Sequence, residues 1–249
     1  MRILIVSTLK RRVGVDVFAS RSRIIYQLAL KLAEKGHKVS VLGTADSQIP
    51  GVDIIPVLEK GWIDLPPVEN PFLRDIASLI KLNNKILEVQ NQFDIIHNHT
   101  YPDYFPSIIE KDLKVPLVTT LHALYDDYMD ELLLTFNKTC FVALSNAYRD
   151  LYQKTKINKV VYNGVDTELY SFNEKPGDYI LWVGRLPKGK NPDGSFMDPK
   201  GVRNAIKLAK ETNQNLFLLG SCEDKKFFEQ DVKPFLNEKI QWVGEVSPE

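Results

Sequence analysis

Four groups of residues in this 249-residue chain have side chains and spacings suited to chemistry. The first is Gly14 with Arg11, Arg12, Arg21 and Arg23, around the expected start of a helix, with only Asp16 to oppose them. Cations at a helix N-terminus are unfavourable by about 0.3–1 kcal/mol each unless an anion sits there. The run therefore points to an anion site; the plainer alternative is a set of solvated side chains. The second is His97-Asn98-His99. Alternate residues of an extended segment share a face, so both imidazoles can point one way. A metal reading would enlist Asp103 or His122, but no H-E-x-x-H or Cys/His pairing accompanies them. The third is His122, at the end of the expected strand 117–121, where an imidazole can meet a bound substrate or exchange a proton near neutral pH. A hydrogen-bonded structural histidine is the competing view. The fourth is Gly184-Arg185 followed by Lys200-Gly201 at a helix start. Arginine grips a diphosphate through two nitrogens, lysine adds a point charge, and a helix N-terminus adds oriented N–H groups. Together these can stabilise a nucleoside-diphosphate leaving group with no metal.

The elements that must hold these residues alternate between strand and helix. Residues 2–8 form a run rich in β-branched residues, suited to a strand covered on both faces. Ser20 is placed as the N-cap of a helix to about residue 35, with Ile25, Leu28, Ala29 and Leu32 as its inner stripe. Gly36 ends it, and residues 38–43 give the next strand. Residues 53–57 follow as a strand, and 61–70 as a proline-rich loop. Asn70 caps and Pro71 opens a helix to about residue 91, with Leu73, Ile76, Leu79, Ile80 and Leu87 inward. Strands at 94–97, 116–121, 140–144 and 160–162 alternate with helices at 126–136 and 147–154. That makes about seven strands, enough for a doubly wound domain. The glycine loop lacks G-x-G-x-x-G, so a nicotinamide-type fingerprint is absent. After the Asn163-Gly164 turn the pattern restarts: strands at 179–183, 215–219 and 240–243, helices at 201–212 and 224–236.

Formal net charge is zero, which gives no global argument for nucleic-acid binding. Apolar content of 44% and charged content of 26% are ordinary for a globular protein. Two cysteines, far apart, fit a reduced cytoplasmic setting. No apolar run approaches the roughly 18 residues of a membrane span.

In order and spacing, a series of stretches resembles the retaining family 4 glycosyltransferases. They are Gly14, Lys35-Gly36-His37-Lys38-Val39, Asp94-Ile95-Ile96-His97-Asn98-His99, Thr119-Thr120-Leu121-His122, Val142-Ala143-Leu144-Ser145, Tyr162-Asn163-Gly164-Val165-Asp166, Val183-Gly184-Arg185-Leu186 and Lys200-Gly201. The resemblance implies the GT-B architecture of two facing Rossmann-like domains with a ligand cleft. The expected limits are 1–170 for the acceptor-side domain, 171–178 for the linker and 179–249 for part of the nucleotide-sugar domain. It implies transfer of a hexosyl group from a nucleotide-diphosphate sugar to an acceptor, with retention, and neither metal nor cofactor. His122 then lies beside the transferred sugar. Arg185 and Lys200 hold the donor diphosphate, and Gly14 approaches donor phosphate or acceptor. Lys190, His99 and Arg12 are alternates. The sequence departs from the family in having Gly14-Val15 for Gly-Gly. It also has an expected insertion from Lys188 to Pro199, which puts Lys190 nearer the usual spacing than Lys200. The family's paired-glutamate segment would fall after Glu249, so the 249 residues alone are expected to be inactive. A non-catalytic binding module and a metal hydrolase built on His97, His99 and His122 are the competing functions. The arginine group also suits an anionic membrane surface, so peripheral contact at the inner face is part of the expectation.

Overall fold

A computed structural model describes every residue except Phe18, Leu124, Ser171, Lys188, Ser247, Pro248 and Glu249. Lys188 in the expected insertion, Ser171 in the expected linker and the Pro248-Glu249 terminus thus lie outside the described residues. The chain divides into two compact units, Met1–Leu169 and Tyr170–Glu249.

In the first unit a seven-stranded sheet has the order β3-β2-β1-β4-β5-β6-β7, and every neighbouring pair is parallel. The strands are β1 (Arg2–Val6), β2 (Lys38–Thr44), β3 (Asp53–Leu58), β4 (Ile95–Asn98), β5 (Leu117–Thr120), β6 (Cys140–Ala143) and β7 (Lys159–Val160). The unbroken apolar run of β1 is explained by cover on both faces. Leu4 and Val6 pack with Leu79, Leu82 and Ile86 of α2 (Pro71–Val89). Ile3 and Ile5 pack on the other side with Ile25, Tyr26 and Ala29 of α1 (Ser20–Glu34). Burying one such side chain is worth about 1.5–3 kcal/mol. Each of these helices is thus held by an apolar stripe far more than by its intrinsic propensity.

Local signals set most boundaries. Gly36, at φ 82°, ends α1 in a Schellman turn: its N–H reaches Ala33 O, and the His37 N–H reaches Leu32 O. Asn70 accepts from the Leu73 N–H at 3.1 Å and caps α2. Ser20, placed as a cap, is instead the first residue of α1. Ala19 occupies the cap position, with no side-chain bond. Leu73 and Ile80, placed inward, are exposed, because they lie about half a turn round from Leu82 at ~100° per residue. The helix expected at 147–154 shrinks to α4 (Asn146–Arg149). Asp130, on α3 (Asp127–Leu133), explains why. Its carboxylate takes the N–H groups of Gln153, Lys154 and Thr155 at 2.7–2.9 Å, and a backbone bonded this way cannot continue a helix.

The second unit has a parallel three-stranded sheet, order β10-β9-β8: β8 (Tyr179–Val183), β9 (Asn215–Leu219) and β10 (Ile240–Gly244). One face packs Trp182, Leu216, Leu218 and Ile240 against Val202, Ile206 and Ala209 of α5 (Val202–Thr212) and against Phe227. Phe227 closes α6 (Lys225–Phe227), which runs on as a wide π turn and a tight 3-10 turn to Phe235. A regular helix was expected across 224–236. Pro234 lacks the N–H that would continue it, and the backbone rewinds on approaching it.

Candidate active site

The strand order reverses direction at β1 and β4, which are neighbours although 2 and 95 begin them. In open parallel sheets such a switch point, at the carboxyl ends of the strands, is where ligands bind. Three of the chain's four histidines gather there. His97 and His99 lie in and just after β4, with ring centroids 4.1 Å apart. His122 follows β5, its ring 5.1 Å from that of His99. His99 Nδ1 and His122 Nε2 are 2.9 Å apart, a hydrogen bond, and His97 Nε2 bonds Thr120 Oγ1 at 2.8 Å. The His99 N–H in turn bonds Val6 O at 2.8 Å, which ties this residue to the end of β1.

A buried ion pair underlies the cluster. Arg21, in the first turn of α1, meets Asp103 Oδ1 at 2.8 Å, with Asp103 only 1% exposed. The other carboxylate oxygen accepts the backbone N–H groups of His122 and Ala123, both at 2.7 Å. Arg21 also donates to Thr100 O and, at 3.4 Å, to His99 O. One salt bridge therefore joins the start of α1 to the loops after β4 and β5 and fixes the backbone at His122. Asn98 adds a second brace: its Nδ2 donates to Asp103 O at 2.6 Å, and its Oδ1 accepts the Thr100 N–H at 2.9 Å. Tyr148 of α4 donates to Ala123 O on the far side of His122, and bonds the Tyr152 hydroxyl at 3.0 Å.

Burial governs the electrostatics. It pushes the His97 imidazole down to about 4. Burial, then the charge of Arg21, push His122 down to about 3. His99, 2% exposed, is driven well below its ordinary range by burial, with smaller pushes from the other two rings and Arg21. All three are neutral at pH 7. For Asp103, burial raises the carboxyl while Arg21 and the two N–H groups pull it back. Among the described residues no three His, Cys, Asp or Glu side chains are arranged as a metal site.

The arginine group around Gly14 is balanced from within the chain. Arg21 has Asp103 as its anion, and Arg12 pairs with Asp16. Gly14 is buried between them: a Cβ there would lie 2.7 Å from Arg12 Nη1 and 3.1 Å from Asp16 Oδ1. The reading of this run as cations awaiting an external anion is thus corrected at Arg21 and Arg12.

In the second unit, Gly184 and Arg185 follow β8. A Cβ on Gly184 would lie 3.4 Å from Lys200 Cβ, so the two segments meet at the carboxyl end of the strand. Lys200 is held by its carbonyl, which accepts the Trp182 indole N–H at 2.9 Å, leaving the side chain exposed. Arg185 is 67% exposed and meets Glu223 Oε1 at 3.1 Å. The N-terminus of α5, enlisted beside Lys200 as a source of N–H groups, is already capped. Asp198 accepts from Val202 N at 3.1 Å and from Arg203 N at 2.9 Å. Lys190 bridges Phe196 across a short antiparallel turn, its Nζ 4.8 Å above that ring. Phe196 is buried against Phe227, so this segment is docked on the unit's core.

Sequence reading enlisted Asp103 only as a conceivable metal ligand and Arg21 only as one of four cations. Their partnership spans 82 positions. The available signal was a lone carboxylate one strand-end away from His122.

The profile of Glycosyltransferase Family 4 matches residues 22–169, well over half of the chain. No curated protein matches it in sequence. Among solved structures, AviGT4, a glycosyltransferase involved in avilamycin A biosynthesis, aligns with a TM-score of 0.63 at 16% identity, over 99% of this chain and 64% of that one. Sucrose-phosphate synthase from Thermosynechococcus elongatus aligns with a TM-score of 0.68 at 15% identity, over 99% and 71%. The catalytic domain of starch synthase IV from Arabidopsis thaliana aligns with a TM-score of 0.61 at 13% identity, over 99% and 74%. The chain thus spans just under two thirds of AviGT4 and somewhat more of the other two. At such identities these likenesses establish the fold, which is that of GT-B glycosyltransferases. The family profile covers more than half of the chain and the strand order is that of the same fold: the chain belongs to glycosyltransferase family 4.

Proposed function

We propose that this protein serves the transfer of a hexosyl group from a nucleotide-diphosphate sugar to an acceptor, with retention at the anomeric carbon and without a metal ion. The observation that carries the proposal is the convergence of His99 and His122 at the β1/β4 switch point of a unit matched by the family profile. In this reading His122, neutral and held by Asp103 through its backbone, contacts the transferred sugar. Arg185 and Lys200 neutralise the charge that develops on the departing diphosphate, by charges fixed beforehand. Gly14 gives the first loop its close approach to donor phosphate or acceptor. Lys190, His99 and Arg12 are the alternate site residues. Of these, Lys190 already faces Phe196 and Arg12 already faces Asp16, which favours Lys200. The solved starch synthase IV is bound to ADP, in keeping with a nucleoside diphosphate as the ligand class.

The ion pair of Arg185 does not stand in the way. An exposed pair of this kind is worth about 0–1 kcal/mol, whereas charge-assisted bonds to phosphate are worth about 1.5–3 kcal/mol each. A diphosphate can therefore take Arg185 from Glu223. The test is calorimetric titration with UDP, ADP and GDP in the presence of a chelator. One of them binds, and Arg185→Ala weakens it about 10–100-fold. Equal affinity of wild type and Arg185→Ala for every nucleotide would remove Arg185 from the donor site.

A further inference from the structure

We propose that His99 is a positioning residue that sets the tautomer of His122. His99 donates its Nδ1–H to His122 Nε2, so that His122 carries its own proton on Nδ1 and offers it as a hydrogen-bond donor to a ligand oxygen. The inference rests on the reading above in one respect only, namely that the ligand is a sugar.

Each neutral imidazole has one N–H and one bare nitrogen. The 2.9 Å contact between His99 Nδ1 and His122 Nε2 therefore needs one ring as donor and the other as acceptor. If His122 donated, the proton of His99 would sit on Nε2. That atom is buried and has no hydrogen-bond partner among the described residues. A buried N–H without an acceptor is rare in native proteins, and a buried acceptor without a donor is somewhat better tolerated. With 2% exposure, His99 has no bulk water to relieve the fault. The other assignment places the His99 proton in the hydrogen bond and leaves only a lone pair unmatched. Burial supports it by keeping both rings neutral at pH 7.

The backbone holds the two residues at this spacing. His99 N–H is bonded to Val6 O, and His122 N–H to Asp103 Oδ2. Both strand ends are thus anchored where the rings meet. The chemical consequence is a choice of role. Bare on Nε2 but committed there to His99, and protonated on Nδ1, His122 donates toward a ligand and cannot take a proton from it. It recognises a hydroxyl or ring oxygen, and it is not a general base.

The experiment is long-range proton–nitrogen correlation of the imidazoles in the uniformly nitrogen-15-labelled chain at pH 7. Only His37, His97, His99 and His122 contribute, so single substitutions assign every signal. The expected result is an Nδ1-protonated His122 in the wild type. In His99→Ala it reverts to the Nε2-protonated form that an unconstrained neutral imidazole prefers. His99→Asn, whose amide N–H falls near the lost Nδ1–H, keeps the Nδ1-protonated form. An Nε2-protonated or evenly mixed His122 in the wild type overturns the inference; this reading is made on the wild type and needs from the variants only the assignment of the His122 signal. With nucleotide sugar, kcat falls about tenfold in His99→Ala and is restored in His99→Asn, while KM changes less. An Nδ1-protonated His122 together with a full gene product that turns over no nucleotide sugar removes the proposed function and leaves this inference standing. Turnover with an Nε2-protonated His122 does the reverse.

Discussion

Asp103 shows what the individual residue contributes. It has one charged partner and two backbone donors, is almost wholly buried, and leaves Arg21 without its carboxylate if removed. Breaking such a buried pair by deleting one partner costs about 3–5 kcal/mol. Asp103→Ala is expected to lower the stability of the first unit by that amount in urea unfolding followed by hydrogen exchange at β4 and β5. A loss under about 1 kcal/mol would mean that the pair is not as buried as the geometry requires. The histidines add a pH dependence. Each has a folded-state pKa below the ordinary value of 6.5, so the unfolded chain binds protons more readily. Their contribution is complete above about pH 6.5. It is lost as pH falls toward about 4 for His97 and about 3 for His122, by up to about 1.4 kcal/mol per pH unit for each ring. Urea midpoints measured from pH 7.5 to 4.5 should fall steeply below 6.5, and a His97→Gln, His122→Gln double variant should flatten the slope. His122 was legible as a candidate because it follows a strand-like run rich in β-branched residues and so falls at a strand end. The Asp103 clamp was not, because a contact between a helix start and a loop 82 positions on leaves no periodic trace.

Elements were legible where one local signal decided them. The Asn70-Pro71 start of α2 and the Gly36 end of α1 were read directly, and β8 and β9 have the expected limits. The misses came where a distant side chain outbid the local pattern, as Asp130 does beyond α4. Another hidden constraint lies at the carboxyl ends of β8 and β9. Gly220 sits at φ 142°, and a Cβ there would fall 1.8 Å from Gly184 O. No flexible side chain can yield, since both sides of the clash are backbone. Gly220→Ala is expected to destabilise the second unit by more than about 2 kcal/mol and to displace Gly184-Arg185. Gly164→Ala, with no atom of a described residue within 4 Å of the added Cβ, serves as the neutral control in the same unfolding experiment. Equal stability of the two variants would show that the Gly184–Gly220 approach is not required.

Across the whole molecule, the two units differ in how completely they are covered. The seven-stranded sheet carries helices on both faces, and its core is continuous through β1. The three-stranded sheet carries them on one. Tyr179, Leu181 and Val183 of β8 and Val243 of β10 are 47–68% exposed on the other face. That uncovered apolar face was foreseeable from three strands of parallel pattern, which need layers on both sides. No described helix is long and apolar enough to cross a membrane. The central claim is that His122 and Arg185 serve retaining, metal-independent glycosyl transfer from a nucleotide sugar. Its most direct test is to follow the anomeric proton of the sugar by NMR while the full gene product acts on a panel of nucleotide sugars with a chelator present. The predicted result is a new glycosidic bond with the anomeric configuration of the donor, formed at an unchanged rate in the chelator and slowed at least about tenfold in His122→Ala. Inversion at that carbon, abolition by the chelator, or no transfer from any donor would contradict it.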